Sequence, residues 1–435
     1  MPAWLLADLG RGGGGARAGA WLSAAERTKH MLLIRAAATA AGQGSAAAAG
    51  YQVLAGLHQR APAADAVVRH PAVGAWALRA VQQAGCADSA AEIEGALRRL
   101  AVAMAMRARV PLTMTVPVTG HAVIVPSVGR AVLPAAGRAR TAVIQVGPGG
   151  TVIAADGARV EVPPRWQADA AGWQALRVVT AQSGGQRLSL VIDDVDPDRF
   201  GLAARAGRLS QAQAGQWAAT VGAAWSLLVA GHRQAADEIS AMITTLTPLR
   251  GDDGWQASAT SRAAFGCVAL SARPDGRSLA LALAHEVQHA KLAALSDLVD
   301  LVRPGSGRRY YAPWREDPRP AAALLQGAYA HLGVAGFWRS QRGRDGAGAQ
   351  AYAEYARWRS ATAQTAALLA RSGELTGHGQ AFVAGMRATL GEWMTDPVPG
   401  PAAARAQAAA DEHRHRWEAR NGVQIGDGSN ATSIR

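Results

Sequence analysis

Two histidines four positions apart are the residues best suited to do chemistry in this chain of 435 residues. They frame the run His285-Glu286-Val287-Gln288-His289, which lies in a stretch rich in leucine and alanine. On an α-helix, side chains four apart share one face with Cβ atoms about 5 to 6 Å apart, so both imidazoles can bind one ion. Two buried imidazoles without partners are costly, and a metal ion removes that cost. The pattern therefore predicts one divalent metal ion.

A chance match is the competing interpretation, because a pattern with two free positions is only moderately specific. A zinc peptidase is the familiar use of the motif, with Glu286 as general base. The downstream sequence weakens that reading, since Leu292 and Leu295 stand where one peptidase pattern has glycine and a third histidine, and Arg309 stands where another has glutamate. Zinc peptidase remains an alternative prediction.

A third ligand is predicted at His331, in a later apolar helix rich in small residues. A histidine in such a helix can equally be a hydrogen-bonded core residue. Three histidine donors at His285, His289 and His331 leave positions open for a bidentate co-substrate and dioxygen, as non-heme iron oxygenases need. Asp297 and Asp300 are weaker candidates, because charges on the same helix are more simply its solvated side or a cap.

Positively charged side chains that could bind an anionic co-substrate lie after the motif in the sequence. Arginine holds a carboxylate in a bidentate way that lysine cannot, which favours Arg315 and Arg319. Lys291 is next, because lysine occurs elsewhere only at Lys29. An ordinary surface salt bridge is the alternative for each of them.

Composition narrows the class of protein. The net charge of +13 comes from scattered arginines without a basic block, so we expect no nucleic-acid partner, whereas an acidic peptide or a small dianion is compatible. Cys86 and Cys267 are the only cysteines, which suits a reducing cytoplasm. Charges interrupt every apolar run, so we expect neither a signal peptide nor a membrane span.

The pattern of apolar residues predicts an α+β fold that is predominantly helical with a central antiparallel β-rich layer. A helical region is predicted at 1–110, a β-rich region at 111–207, a helical catalytic region at 208–415 and a disordered tail at 416–435. Within the third region, a strand at 264–272 and a turn at Pro274 should lead into the helix at 278–302 that carries the motif.

Three segments also resemble a known family. They are HEVQHAKLAALSDL at 285–298, YAPWREDPRP at 311–320 and QGAYAHLGVAGFW at 326–338, with a further familiar segment at 117–126. The chain resembles the HExxH-domain proteins of actinobacterial ribosomal-peptide pathways, most clearly over its C-terminal half. The family is found beside, or fused to, radical-SAM peptide cyclases.

The resemblance implies a peptide β-hydroxylase that depends on iron(II), 2-oxoglutarate and dioxygen, with a fold other than a double-stranded β-helix. It implies that His285 and His289 are iron ligands and that Glu286 lies in or next to the ligand set. The expected substrate is a ribosomally synthesised precursor peptide. No radical-SAM cysteine triplet occurs, so a maturase of that type would be a separate chain. A peptide-binding partner without catalysis remains a further alternative.

Overall fold

The structure is a computed structural model that describes residues 1–42, 45–86, 89–133, 139–200, 207–250, 257–273, 275–344 and 348–422. Over these residues the protein is mostly helical, with several small sheets and no barrel. The predicted α+β class is therefore confirmed.

Helices make up both ends of the described chain and surround the sheets. They are α1 (Ala3–Gly10), α2 (Gly15–Ala40), α3 (Ala46–Arg60), α4 (Asp65–Val68), α5 (Pro71–Gln82), α6 (Ser89–Ala108), α7 (Gln211–Gly231), α8 (Arg233–Met242), α9 (Gly276–Ser296), α10 (Ala321–Gln341), α11 (Gly348–Arg371), α12 (Gly377–Met394) and α13 (Gly400–Asn421).

Strands occupy the middle of the chain and the segment before α9. They are β1 (Leu112–Pro117), β2 (Ala122–Val125), β3 (Gly129–Val132), β4 (Thr141–Gly147), β5 (Gly150–Ala155), β6 (Ala158–Val162), β7 (Trp173–Ala175), β8 (Arg177–Ser183), β9 (Gln186–Ile192), β10 (Thr245–Pro248), β11 (Ser258–Thr260), β12 (Cys267–Leu270), β13 (Arg309–Tyr310) and β14 (Arg319–Pro320). The sheets have the orders β1-β4-β5-β6, β2-β3-β7, β13-β14 and β11-β12-β10-β9-β8.

The five-stranded sheet lies beside the helix that carries the motif. Strands β9, β10 and β12 are parallel, whereas β8 and β11 run antiparallel to their neighbours. The predicted strand at 264–272 is present but shorter, as β12. Strands β10 and β11 were not predicted, because each has only three or four residues and shows no alternating pattern.

The buried apolar side chains form two clusters. One contains α1, α7 to α12 and the five-stranded sheet, and the other contains α3 to α6 with β1 to β7. Helix α2 contributes Leu22 to the first cluster and Ile34 to the second. The boundaries between the two clusters therefore fall within α2 and between β7 and β8. The boundaries between the predicted regions fall at 110 and 207. Helix α9, which carries the motif, packs in the first cluster through side chains such as Leu283, Val287 and Leu292.

Helix α9 begins at an acidic cap and ends earlier than predicted. The carboxylate of Asp275 accepts a hydrogen bond from the Ser278 amide at 2.8 Å, which satisfies one of the free N–H groups of the first turn. The helix ends at Ser296 rather than near residue 302. The chain then leaves the helix, and the Leu301 carbonyl accepts a hydrogen bond from the Thr376 amide. Pro274, in the predicted turn, lies outside the described residues.

The C-terminal helix extends into the predicted tail. Helix α13 continues to Asn421, so residues 416–421 are helical, and 423–435 lie outside the described residues. In the described part of the chain, no helix combines the length and apolar character needed to cross a bilayer.

Candidate metal centre and substrate groove

His285 and His289 converge as the helical spacing predicts. Their Nε2 atoms are 3.1 Å apart, and their ring centroids are 4.8 Å apart with the planes nearly perpendicular. Two nitrogens that each lie about 2.1 Å from one ion, at 90° to 110° to each other, are about 3.0 to 3.4 Å apart. The pair therefore already has the separation of two ligands of one ion. Burial, reinforced by the neighbouring histidines, lowers the pKa of His285 well below its usual value, which keeps its nitrogen lone pair available.

Gln326 of α10 orients the second histidine. Its Oε1 lies 3.2 Å from Nδ1 of His289, so this nitrogen donates and the tautomer leaves Nε2 without a proton. Metal-binding histidines commonly donate their other ring N–H to an oxygen in this way. Gln326 was not predicted, although it stands within the segment at 326–338 that carries part of the resemblance.

His331 lies on α10, next to the pair. Its ring centroid is 5.3 Å from that of His285, and its Nδ1 lies 2.8 Å from the Gly327 carbonyl oxygen, which directs the lone pair to Nε2. The ring stacks on Trp314 and also contacts Trp358, with centroid distances of 4.6 Å in both cases. Burial lowers the pKa of His331 to about 4, so the side chain is neutral at physiological pH.

Two glycines of α10 permit this arrangement. A Cβ atom at Gly333 would lie 2.5 Å from the Ala284 carbonyl oxygen, so only glycine lets α10 approach α9 this closely. A Cβ atom at Gly327 would lie 2.4 Å from Nε1 of Trp314. Both glycines therefore help to bring His331 to the histidine pair of α9.

The histidine pair has the donor atoms and the separation that two ligands of one metal ion need. Among the described residues, no three His, Cys, Asp or Glu side chains are already arranged as a complete site. The fit rests on His285 and His289, whose Nε2 atoms face each other. The ring of His331 is neutral and adjacent, so its role as third ligand stays a prediction.

Glu286 is buried beside the pair, with 1% of its surface exposed. Its Oε1 lies 4.0 Å from Nε2 of His285, and its Oε2 has no hydrogen-bond partner among the described residues. The hydroxyl groups of Ser258 and Thr260 on β11 lie close enough to the carboxyl group to favour its charged form. Burial is the main cause that raises its pKa, and His289 and the two hydroxyls oppose that change. A carboxyl group with one unsatisfied buried oxygen is suited to exchange a proton or to hold a polar ligand atom.

The three histidines and Glu286 open onto one groove of about 940 Å³. Strand β11 forms one wall, and the other walls come from α9, α10 and the segment between them. Three arginines line it, Arg262, Arg315 and Arg319, together with the acidic residues Glu286 and Asp300. The groove is much larger than a metal ion needs, so it can hold an extended ligand next to the histidines.

The structure brings two of the three predicted cations to the groove. Arg315 and Arg319 both bind Asp317, at 2.8 and 2.9 Å, so two positive charges share one carboxylate. Arg319 is the less exposed of the two, at 34% against 54% for Arg315. Arg262 was not predicted, because it lies in the loop before β12, far from the motif in sequence. Its guanidinium group pairs with Asp297.

Lys291 does not reach the groove, which corrects its predicted role in binding the co-substrate. Its Nζ lies 2.9 Å from the Glu238 carboxylate and 3.1 Å from the Gly12 carbonyl oxygen, on the opposite side of α9 from the histidine pair. Both charged side chains are 1% exposed. Lys291 therefore joins α9 to α8 and to the segment before α2. Asp297, one of the weaker ligand candidates, forms salt bridges with Lys29 and Arg262 instead.

Comparison with models of protein families found no match for this chain, and comparison with curated proteins also found none. The geometry of the groove and the resemblance of the three segments are therefore the grounds for assigning a function.

Replacing Gln326 with leucine is expected to weaken metal binding about 10- to 100-fold, the usual cost of losing the partner that orients a metal-binding histidine. Isothermal titration of the anaerobic protein with iron(II) measures the effect directly. The Gln407→Leu variant is the control, because Gln407 is an exposed residue of α13. Equal affinities in both variants would contradict the orienting role of Gln326.

Proposed function

We propose that this chain is an iron(II)- and 2-oxoglutarate-dependent oxygenase that hydroxylates Cβ of a residue in a ribosomally synthesised precursor peptide. The observation that carries the proposal is the His285–His289 pair, which has the separation of two metal ligands and faces a groove large enough for a peptide. The proposed reaction type comes from the resemblance of the segments around this pair to the HExxH-domain proteins.

The metal, when bound, supplies activation of dioxygen, and the overall reaction converts a C–H bond, O2 and 2-oxoglutarate into C–OH, succinate and CO2. His285 and His289 hold the ion, and His331 is the proposed third donor. Arg319, with Arg315 beside it, holds the distal carboxylate of 2-oxoglutarate. Trp314 and Trp358 flank His331 and keep water from its ring.

The edge strand of the five-stranded sheet supports an extended peptide as substrate. The Leu270 carbonyl accepts its hydrogen bond from the Leu249 amide, so Leu270 and its partner Ser258 form a pair without mutual hydrogen bonds. The backbone N–H and C=O groups of Ser258 therefore point away from β12, toward the outer edge of the sheet. Thr260 lies two residues further along the strand, so its backbone groups point the same way. Because β11 lines the groove, a peptide can add to this edge and pass the histidine pair.

A zinc peptidase is the second candidate function, and the buried carboxyl group of Glu286 favours it. Its unsatisfied Oε2 lies beside the histidine pair, where a general base of a metallopeptidase would act. The absence of a complete three-ligand set among the described residues does not discriminate between the two functions, because both need a third ligand.

One experiment separates the two candidates. The full chain is incubated aerobically with iron(II), 2-oxoglutarate and a precursor peptide encoded beside it, with or without a separate radical-SAM maturase, and the peptide is analysed by mass spectrometry. We expect a mass gain of one oxygen atom that requires 2-oxoglutarate. Shorter peptides, formed with zinc and without 2-oxoglutarate, would establish the peptidase instead.

Replacing Arg319 with glutamine is expected to raise the KM for 2-oxoglutarate about 10- to 100-fold, because hydrogen bonds to a charged group contribute about 1.5 to 3 kcal/mol. Succinate formation at several 2-oxoglutarate concentrations measures this change. Arg371→Gln is the matched control, since Arg371 is exposed at the end of α11. An unchanged KM in the Arg319 variant would show that another group binds the co-substrate.

A further inference from the structure

A second cavity lies beside the apolar cluster of α3 to α6 and β1 to β7, and it shares no lining residue with the groove. Its volume is about 260 Å³. Helices α5 and α6 form one side, the ends of β1 to β3 form another, and the segment after β9 closes it. A cavity of this size is near the lower limit for small-molecule sites, so it suits a ligand with fewer than about ten heavy atoms.

Arg99 of α6 lines this cavity without a bonded partner. Within the described residues, its guanidinium group makes no hydrogen bond and no salt bridge, although five N–H donors are available. Burial is the main cause that lowers its pKa, despite the attraction of Asp196, Asp198 and Glu92. Because its donors face the cavity and bind no acceptor within the described residues, they are available to an acceptor group placed in the cavity.

A second arginine and an unsatisfied indole are part of the same wall. Arg130 donates to the amide oxygen of Gln174 and to no carboxylate in the described part of the chain, so its charge is not neutralised by a direct ion pair. Trp76 has an indole N–H that finds no hydrogen-bond partner in the part of the chain that the structure describes. The cavity therefore has three donor groups, two guanidinium groups and one indole, together with the apolar side chains of Val73, Leu100 and Ile124.

The acidic residues of the cavity do not cancel this positive character. Asp198 forms a salt bridge with Arg79, which approaches from outside the cavity lining. Burial and the neighbouring Asp193 and Asp198 raise the pKa of Asp196, which favours its uncharged form. Arg99 and Arg130 can therefore still attract an anion placed in the cavity.

We infer that this cavity is a binding site for a small organic carboxylate with an apolar body, whose carboxylate binds Arg99 and Arg130 while its hydrocarbon part contacts the side chains of α5 and α6. The site is separate from the proposed metal centre, and the inference does not depend on the proposed function. Arg99 is a ligand-binding residue in this assignment, because nothing within the described residues uses its donors.

Titration of the full chain with hexanoate tests the inference, with hexanamide as the uncharged probe of the same size. We expect hexanoate to bind at millimolar concentration or below, and hexanamide to bind at least tenfold more weakly. Arg99→Gln should weaken hexanoate binding about 10- to 100-fold. Arg99→Lys should lose less affinity, because it keeps the charge and loses the bidentate geometry.

Two controls locate the binding. Arg98→Gln changes the adjacent residue, which binds Glu94 outside the cavity, and Arg319→Gln removes a groove arginine that could also attract a carboxylate. Both variants should bind hexanoate as the wild type does. Thermal unfolding shows whether each variant is folded, and Arg99→Gln should not lower the Tm, since no internal hydrogen bond is lost. The inference is overturned if hexanoate and hexanamide bind equally, or if Arg99→Gln binds hexanoate with unchanged affinity.

Discussion

Replacing His289 with alanine is expected to abolish stoichiometric binding of iron(II) and the hydroxylation that depends on it. The substitution removes one of two nitrogens that lie 3.1 Å apart and leaves His285 without the partner that completes the pair. The loss of affinity should exceed the 10- to 100-fold effect of losing an outer hydrogen-bond partner, such as Gln326, because a direct donor is removed. Metal analysis after anaerobic reconstitution and desalting measures the stoichiometry, and titration measures the affinity.

His378→Ala is the matched control for this experiment. His378 is exposed in the first turn of α12 and lines neither the groove nor the second cavity. It should retain one equivalent of metal and full activity. The metal hypothesis is wrong if the His289 variant and the control bind the same amount of iron. Thermal unfolding of both variants checks that a loss of metal binding is not caused by unfolding of the His289 variant.

The helical spacing made the centre of the site predictable. Two histidines at positions i and i+4 must share a face of α9, and the structure places their Nε2 atoms together. His331 could be proposed from its apolar surroundings, and it does lie beside the pair. Helix geometry alone fixes the first contact, and a buried histidine needs partners wherever the chain brings it. That these three side chains bind a metal ion stays a prediction.

Other parts of the site depend on contacts that local sequence does not encode. Strand β11 has three residues and lies in the groove only because it pairs with β12 at the edge of the sheet. Ser258, Thr260 and Arg262 reach Glu286 or the groove through that pairing. A short edge strand has no periodic pattern to reveal it. The division of the apolar clusters within α2 likewise depends on how distant elements pack.

The error at Lys291 could have been avoided from the sequence. Successive residues of an α-helix are rotated by about 100°, so a side chain two positions after His289 points about 200° away from it. Lys291 must therefore lie on the far face of α9 from the histidine pair. Lys291 was proposed because the chain contains only one other lysine, which is an observation about composition. Helix geometry is the stronger constraint, because it fixes the direction of the side chain.

Replacing Lys291 with methionine is expected to lower the free energy of unfolding by about 3 to 5 kcal/mol, because it leaves the Glu238 carboxylate buried without its cation. The Nζ–Oε1 distance is 2.9 Å, and each side chain is 1% exposed. Burial raises the pKa of Glu238 and lowers that of Lys291, while the attraction between them opposes both changes. Urea unfolding of the wild type and the variant measures the loss.

A second substitution tests whether the unpaired charge causes this loss. The Lys291→Met/Glu238→Gln double variant removes both charges and keeps an oxygen that can accept from the Gly15 amide, as the carboxylate does at 3.2 Å. It should recover most of the lost stability, since removing both members of a buried ion pair is far less costly than removing one. It should also keep the wild-type KM for 2-oxoglutarate, because this pair lies on the far side of α9 from the groove. A Lys291→Met variant with normal stability but a raised KM would instead show that the lysine reaches the co-substrate.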